Sequence, residues 1–480
     1  MFKLNLSSFS DIKDDLEEYI GNNKETYKIL DSYEGSAKTL IVNLFAGFAS
    51  FLSYKYTVLR SESYLYSAKM KSSIYLLARH FGYRINRNVA PTIRFKYIGN
   101  EPFAIQSGFV FAKYRYKGDD ISVVYFGDAQ LINYNEFIDG YIGIYNVISG
   151  DFTSYNFNET IVIPTTKKRQ DSTVDNEHIR IFANNVQLEI SDNLEDFILR
   201  EKIIDHTAIN DSSELWICDK NNKYGYQISK YDNYRIEYIE SFGYIPTLNA
   251  DIEDNLLEIE KPFVFSSIQG YGLNQDTLSK IKEIATLYYT SLRRMVTFSD
   301  HEIITRAYPS ILDTNIYVYR TDRTSIIVYY ILEGSAKNAR IFTETEKNKY
   351  LEYLNHYKLL DLKIDAVAAT PVVINLYCAV KYYCTHRNYE DYNNELEVYL
   401  QSQIDAIITA YQFKFNKILS INAVMMDIGR IKYNNSVIVK EVYFKHITDD
   451  GVIDLTEESV FNLQKNQYFY LDTKIELACV

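Results

Sequence analysis

Tryptophan, proline, glycine and cysteine are all scarce in this chain of 480 residues: one Trp, 7 Pro, 18 Gly and 4 Cys. Against usual shares of roughly 7% Gly and 5% Pro, such values exclude collagen-like and Pro/Gly-rich linker architectures. The cysteines are too few for a disulfide scaffold. Cys378 and Cys384 fall on one alternating run, Ile374, Leu376, Cys378, Val380, Tyr382 and Cys384. On a strand at ~3.3 Å per residue their Cα atoms would lie about 20 Å apart, beyond the ~7 Å a bridge tolerates. Both are therefore expected as core-facing thiols, and Cys218 and Cys479 have no partner at metal-ligand spacing. A long apolar run is missing as well. Leu40 to Leu52, interrupted by Asn43 and Ser50, is about 13 residues against the ~20 of a bilayer span. The polar stretch Ser7 to Glu18 leaves no place for the apolar core of a signal peptide. The expectation is a soluble protein with no membrane partner.

Positive charge is also in deficit, with 51 Lys+Arg against 63 Asp+Glu and a net charge of −12. A general nucleic-acid binder needs a clustered basic face to release phosphate counterions. The one compact basic run, Lys167-Lys168-Arg169, sits in a polar stretch and reads as a solvated loop, so no nucleic-acid partner is expected. What the chain does have is 47% hydrophobic and 24% charged residues, a globular balance, and a length that suggests about three domains. Tyrosine is abundant, at 45 residues. Its rings suit a binding surface, yet they fall in segments patterned as strands, where Tyr is favoured anyway. The richness in Ile, Asn, Lys and Tyr also fits an AT-rich coding sequence.

The hydrophobic period divides the chain. Residues 1–88 read as a helical, bundle-forming segment. Ser10 can cap a helix with an acidic first turn. A second helix is expected from about Ser36 to Leu59 and a third from Ser61 to Phe81, ended by Gly82. In the second, Leu40, Ile41, Leu44, Phe48, Phe51 and Leu52 follow the helical period, while Phe45, Ala46 and Ala49 widen the stripe. Such a helix must be covered on several sides. These six, with Leu65, are the candidate partner-binding residues. Residues 89–248 switch to period two, with alternation at Thr92 to Tyr97, Phe109 to Tyr116 and Ile121 to Tyr125, and read as β-rich. The polar stretch Thr165 to Asn176 is the best internal linker. Residues 249–300 read as a helical connector, 301–385 as an α+β module and 386–480 as a C-terminal α+β module. Within them Thr343 and Glu346 form a capping box, Val372 to Cys384 a long strand, and Tyr389 to Tyr411 a helix. The fold class is α+β, with the last two modules expected as ferredoxin-like split βαβ units.

No catalytic set emerges. His301-Glu302 does not extend to a zinc-binding HExxH, because residue 305 is Thr, and the seven histidines are scattered. Gly270-Tyr271-Gly272 lacks the third glycine of a dinucleotide loop, and neither a phosphate loop nor a GxSxG elbow is present. The acidic stretch Asp251, Glu253, Asp254, Glu258 and Glu260 singles out no pair for hydrolysis or a hard cation, and reads as a solvated loop. No catalytic residue, cofactor or metal is expected.

Three segments carry a family likeness. The first is Ser61-Glu62-Ser63-Tyr64-Leu65-Tyr66-Ser67-Ala68-Lys69-Met70, followed by Ser73-Ile74 and Leu76 to Tyr83, before Ala90-Pro91-Thr92 opens the β region. The second runs from Arg294-Met295-Val296-Thr297-Phe298-Ser299-Asp300-His301-Glu302 to Tyr308-Pro309-Ser310-Ile311. The third is Lys417-Ile418-Leu419-Ser420-Ile421-Asn422, leading to Val437 to Phe444. In this order the chain resembles the baseplate J-like proteins, baseplate wedge subunits of contractile-tailed bacteriophages and related injection machines. It departs at Lys223-Tyr224-Gly225-Tyr226-Gln227, where many members carry a glycine-richer turn. The resemblance implies a structural subunit of the virion's tail baseplate, assembled in the host cytoplasm. It implies a homodimer whose N-terminal helices join a bundle with a second wedge protein. It also implies contacts with other wedge proteins and with tail hub or sheath-initiating proteins, joining wedges into a ring. The alternatives from composition are a receptor- or glycan-binding tail protein and, from carboxylate density alone, a hydrolase.

Overall fold

The change of hydrophobic period near residue 89 has a counterpart in three dimensions. The computed structural model describes residues 9–22, 37–151, 160–165, 172–191, 203–209, 212–216, 233–249, 252–318, 325–359, 361–383, 390–415, 418–433, 436–437, 439–448, 451–456 and 459–479. The protein is mixed α+β and divides into two units: Met1–Arg84 with Leu278–Ala285, and Ile85–Thr277 with Thr286–Val480.

The first unit is helical, with α1 (Phe9–Asn22), α2 (Ala37–Glu62), α3 (Lys71–His80) and the first half of α4 (Leu278–Thr290). Helix α1 packs on α2. Helix α3 buries Ile74, Tyr75 and Ala78 and ends where the N–H of Gly82, at φ +72°, reaches Arg79 O and that of Tyr83 reaches Ala78 O. That left-handed residue is what glycine supplies at a helix end. The helix expected from Ser61 to Phe81 is instead broken at residues 63–70, where polar side chains take over the backbone groups a helix would use.

In the second unit, β1 (Thr92–Tyr97), β2 (Val110–Tyr116), β3 (Asp119–Val124) and β4 (Phe137–Ile142) begin a six-stranded sheet. Ile93, Phe95 and Tyr97 point into its core, where the rings of Phe95 and Phe111 stack at 4.7 Å. The chain then leaves to build a second sheet from β5 (Ile144–Asp151), β6 (Thr160–Ile163), β7 (Thr173–Ala183), β8 (Val186–Ser191), β9 (Ile203–Ile209), β10 (Ser212–Trp216) and β11 (Asn233–Ser241). It returns with β12 (Leu256–Leu257) and β13 (Phe263–Gly270), giving a first sheet in the order β12-β2-β3-β4-β1-β13. Part of the expected helical connector is thus the closing edge of a β domain. As an edge strand β13 exposes Val264 and carries Ser266-Ser267, which blurs its alternation.

The inserted sheet runs β5-β11-β7-β8-β9-β10-β6. Although β11 and β6 are far apart in that order, the Tyr238 hydroxyl donates to Pro164 O at 2.9 Å, and Ile163 shares a core with Ile181 and Ile236. The sheet therefore curls over a single core. Thr173–Asn176, expected within a linker, belongs to β7. Its polar character is explained by Asp175, which is fully buried and accepts from the N–H of Ala90 at 2.7 Å while its Oδ2 meets His178 Nδ1 at 2.8 Å. Lys167-Lys168-Arg169, Lys223 to Gln227, Cys218 and Cys384 lie outside the described residues, as do the side chains of Asp251, Glu253 and Asp254.

The C-terminal half follows the expected element order but not the expected pairing. After α5 (Phe298–Arg306) come β14 (Ile311–Val318), β15 (Ser325–Leu332), α6 (Glu344–Tyr357) and β16 (Lys363–Ala368), in a sheet β14-β15-β16. Thr343 and Glu346 form the capping box of α6. Next are β17 (Thr370–Tyr382), α7 (Glu390–Tyr411), α8 (Ile421–Gly429), β18 (Val439–Thr448), β19 (Gly451–Leu455) and β20 (Gln467–Cys479), in a sheet β19-β18-β17-β20. Leu396, Leu400 and Ile404 of α7 pack on Cys378 and Val380 in one core. The parallel pairs, β15 with β16 and β17 with β20, are direct neighbours. A split βαβ unit needs a third strand between them, so neither module is ferredoxin-like. Hydrophobic period specifies which segments are strands but not which strands pair.

A buried polar cluster joins the first sheet to the module around α6. The Arg340 guanidinium lies 3.7 Å from the Tyr244 ring centre and donates to Gly272 O and Glu333 O. Glu346 stands 4.0 Å from it and accepts from the N–H of Tyr271 at 2.9 Å. Removing one partner of a buried pair leaves an uncompensated charge, so Glu346→Ala should lower the unfolding free energy by about 3–5 kcal/mol in urea titrations. A second expectation concerns His301, which burial holds below the ordinary imidazole value. The folded chain then takes up a proton less readily than the unfolded one. The stability this confers is complete above about pH 6.5 and is lost as pH falls below it. Between about pH 7.5 and pH 5.5 the wild type should therefore lose Tm relative to His301→Phe; parallel profiles would contradict this.

Candidate functional site

Helix α2 is built inside out. At about 100° per residue, Leu40, Leu44, Phe51, Phe48, Ile41, Leu52, Leu59 and Phe45 cover an arc of about 140°, with Val42 and Ala46 roughly opposite its centre. It is the arc that faces solvent: Leu40 is 71% exposed, Leu44 68% and Phe48 59%, while Val42 and Ala46 are buried. Ala49, Ser50 and Ser53, flanking the buried pair, are half-buried. Small side chains therefore face the protein and large apolar ones face water, the reverse of a helix packed on its own core. Between Lys38 and Lys55 no residue is charged.

Covering the exposed part of these side chains is worth on the order of 1 kcal/mol each, hence several kcal/mol for the face as a whole. That sum reaches the lower part of the ~4–15 kcal/mol that association costs. A face of this size offsets part of the cost of assembly and is larger than the isolated exposed Leu or Phe of an ordinary surface.

Of the seven residues singled out from sequence, Leu40, Ile41, Leu44, Phe48, Phe51 and Leu52 share this face. Leu65 does not: it is 5% exposed and turned inward in the segment after α2. Phe45, Tyr56 and Leu59 extend the exposed surface and were not among the seven. Reading the period through to the end of α2 would have added Tyr56 and Leu59; Phe45 already widens the stripe.

The segment 62–70 after α2 is held by its own polar groups. Glu62 at the end of α2 accepts the N–H of Lys69 at 2.9 Å and that of Met70 at 3.1 Å, and these bonds, Lys69 foremost, hold its carboxyl below the ordinary value. Ser67 Oγ donates to Ser61 O, Ser63 Oγ to Leu59 O, and the N–H of Ala68 to Tyr64 O. Leu65 and Ala68 turn inward, and Tyr64, Tyr66 and Met70 turn outward. Residue pattern carries no sign of this, because Ser and Tyr at 61–67 are equally compatible with a helix.

Elsewhere, among the described residues, no three His, Cys, Asp or Glu side chains gather as metal ligands, and no helix is long and apolar enough to cross a membrane. Cys378 is a buried free thiol whose pKa burial pushes up to about 12, which leaves it without thiolate character at neutral pH.

No protein-family model matches the chain, and no curated protein sequence matches it. Among solved structures it is similar to a chain in the cryo-EM structure of the anti-feeding prophage baseplate, six-fold symmetrised. The identity is 11% and the TM-score 0.29, over 96% of this chain and 90% of that one.

Since the outward residues of α2 make little contact within the chain, replacing Phe48 and Leu52 with Asp should change the unfolding free energy by no more than about 0.5 kcal/mol per site. A loss of several kcal/mol in denaturant titrations would mean that the face is covered by the chain itself.

Proposed function

We propose that this protein is a structural subunit of a phage-type tail baseplate, a wedge component that works by assembling with other proteins and not by turning over a substrate. The observation that carries the reading is the outward apolar face of α2, which has no use in an isolated chain and suits a helical bundle shared with partner helices. The three family-like segments, Ser61 to Tyr83, Arg294 to Ile311 and Lys417 to Phe444, support the same assignment. In this reading α2 brings together two copies of the chain and a second wedge protein. The β domains and C-terminal modules then connect neighbouring wedges around the tail hub, and the protein resides in the tail baseplate after assembly in the host cytoplasm.

The test is co-expression with the products of the genes beside its own. Wild type should co-purify with at least one of them as a stable complex of more than one chain. The Phe48→Asp/Leu52→Asp double variant should remain folded but lose the complex. Full retention of the complex by a folded double variant would remove the bundle from the account.

A further inference from the structure

The stretch from α2 through α3 is basic within an acidic chain. From Ala37 to Arg84 the sequence holds a single acidic residue, Glu62, against Lys38, Lys55, Arg60, Lys69, Lys71, Arg79 and Arg84, in a chain whose net charge is −12. Both oxygens of Glu62 are engaged by backbone N–H groups, so its charge is committed to holding the segment. Lys55, Arg60 and Lys69 are exposed, and among the described residues Arg60 and Lys69 enter no ion pair.

Between these cations stand aromatic rings that the segment holds out to solvent. Tyr66 is 93% exposed and Tyr64 also projects, on a stretch fixed by the Glu62, Ser63 and Ser67 bonds described above and anchored by Leu65 and Ala68. Tyr56 and Leu59 of α2, Met70 before α3 and Leu76 within it are exposed as well. An aromatic side chain on a pre-ordered segment loses little further entropy when covered, and tyrosine is among the residues that dominate interfaces. Cations around an apolar centre select a partner of opposite charge.

We infer that the α2–α3 corner, Lys55 to Lys71, is a docking site for an acidic segment of a partner protein, with Tyr66 as the central contact and Arg60 and Lys69 as the charge readers. The inference rests on the reading of the chain as an assembled subunit, and it adds a second contact, selective by charge, to the uncharged face of α2. The apolar face supplies adhesion; the corner supplies the choice of partner.

The test uses the full chain co-expressed with its neighbouring gene products, with a benzophenone photo-crosslinker in place of Tyr66 and, separately, in place of Phe48. The crosslink from position 66 should map to a partner segment rich in Asp and Glu. Arg60→Glu/Lys69→Glu should weaken the purified complex at least tenfold at ~0.1 M salt, with the gap to wild type narrowing at ~0.5 M. Tyr66→Ala should weaken it about tenfold or more at both salt concentrations. Capture at 48 without capture at 66, a crosslink to a segment without net negative charge or to a second copy of this chain, or unchanged affinity on charge reversal would each overturn the corner site while leaving the α2 bundle standing. Capture at neither position would overturn both.

Discussion

A helix cannot hide both of its sides when one is lined with Ala and Ser and the other with Leu and Phe, and α2 has placed the wrong side outward for a chain that lives alone. Val42 and Ala46 are buried, while Leu40, Leu44, Phe45, Phe48 and Phe51 are exposed. Close approach across small residues suits helix-on-helix packing within the unit, and the large residues remain for whatever arrives. The proposed bundle depends on that orientation of α2.

The remainder of the chain is built as a connected scaffold. Strands β16 and β17 are separated only by Ala369, so one extended stretch passes from the sheet around α6 into the C-terminal sheet. The N–H of Ala369 bonds to Tyr330 O and that of Thr370 to Asn466 O, both at 2.9 Å, which fixes the crossing. Asp313 accepts from the N–H of Phe415 at 2.9 Å, and the Asn315 amide donates to Lys465 O at 2.7 Å, tying the same two sheets a second time. Together with the Arg340 cluster, these bonds tie the first sheet, the sheet around α6 and the C-terminal sheet to one another.

Much of this was legible in the sequence where one period dominates. The long alternating run near Cys378, the capping box at Thr343 and the apolar side of α7 each have a single explanation, and the structure places them as the pattern implies. Three things were not legible. The pairing of parallel strands as direct neighbours, which removes the split βαβ units, depends on contacts distant in sequence. The insertion of one β sheet into another is invisible because β4 and β5 run on without a break, and β13 is too irregular to announce itself. The fate of Leu65 turned on Glu62, Ser63 and Ser67 bonding to the backbone, a competition that hydrophobic period does not register. For α2 the sequence indicated an apolar surplus, but only the three-dimensional arrangement shows which side of the helix carries it outward.

Hydroxyl-radical footprinting of the free chain and of its purified complex with neighbouring gene products addresses the central claim most directly. The account predicts that Phe45, Phe48 and Phe51 are oxidised readily in the free chain and become strongly protected in the complex, while exposed residues of the C-terminal sheet such as Val452 change little. Equal labelling of the three phenylalanines in both states would contradict it.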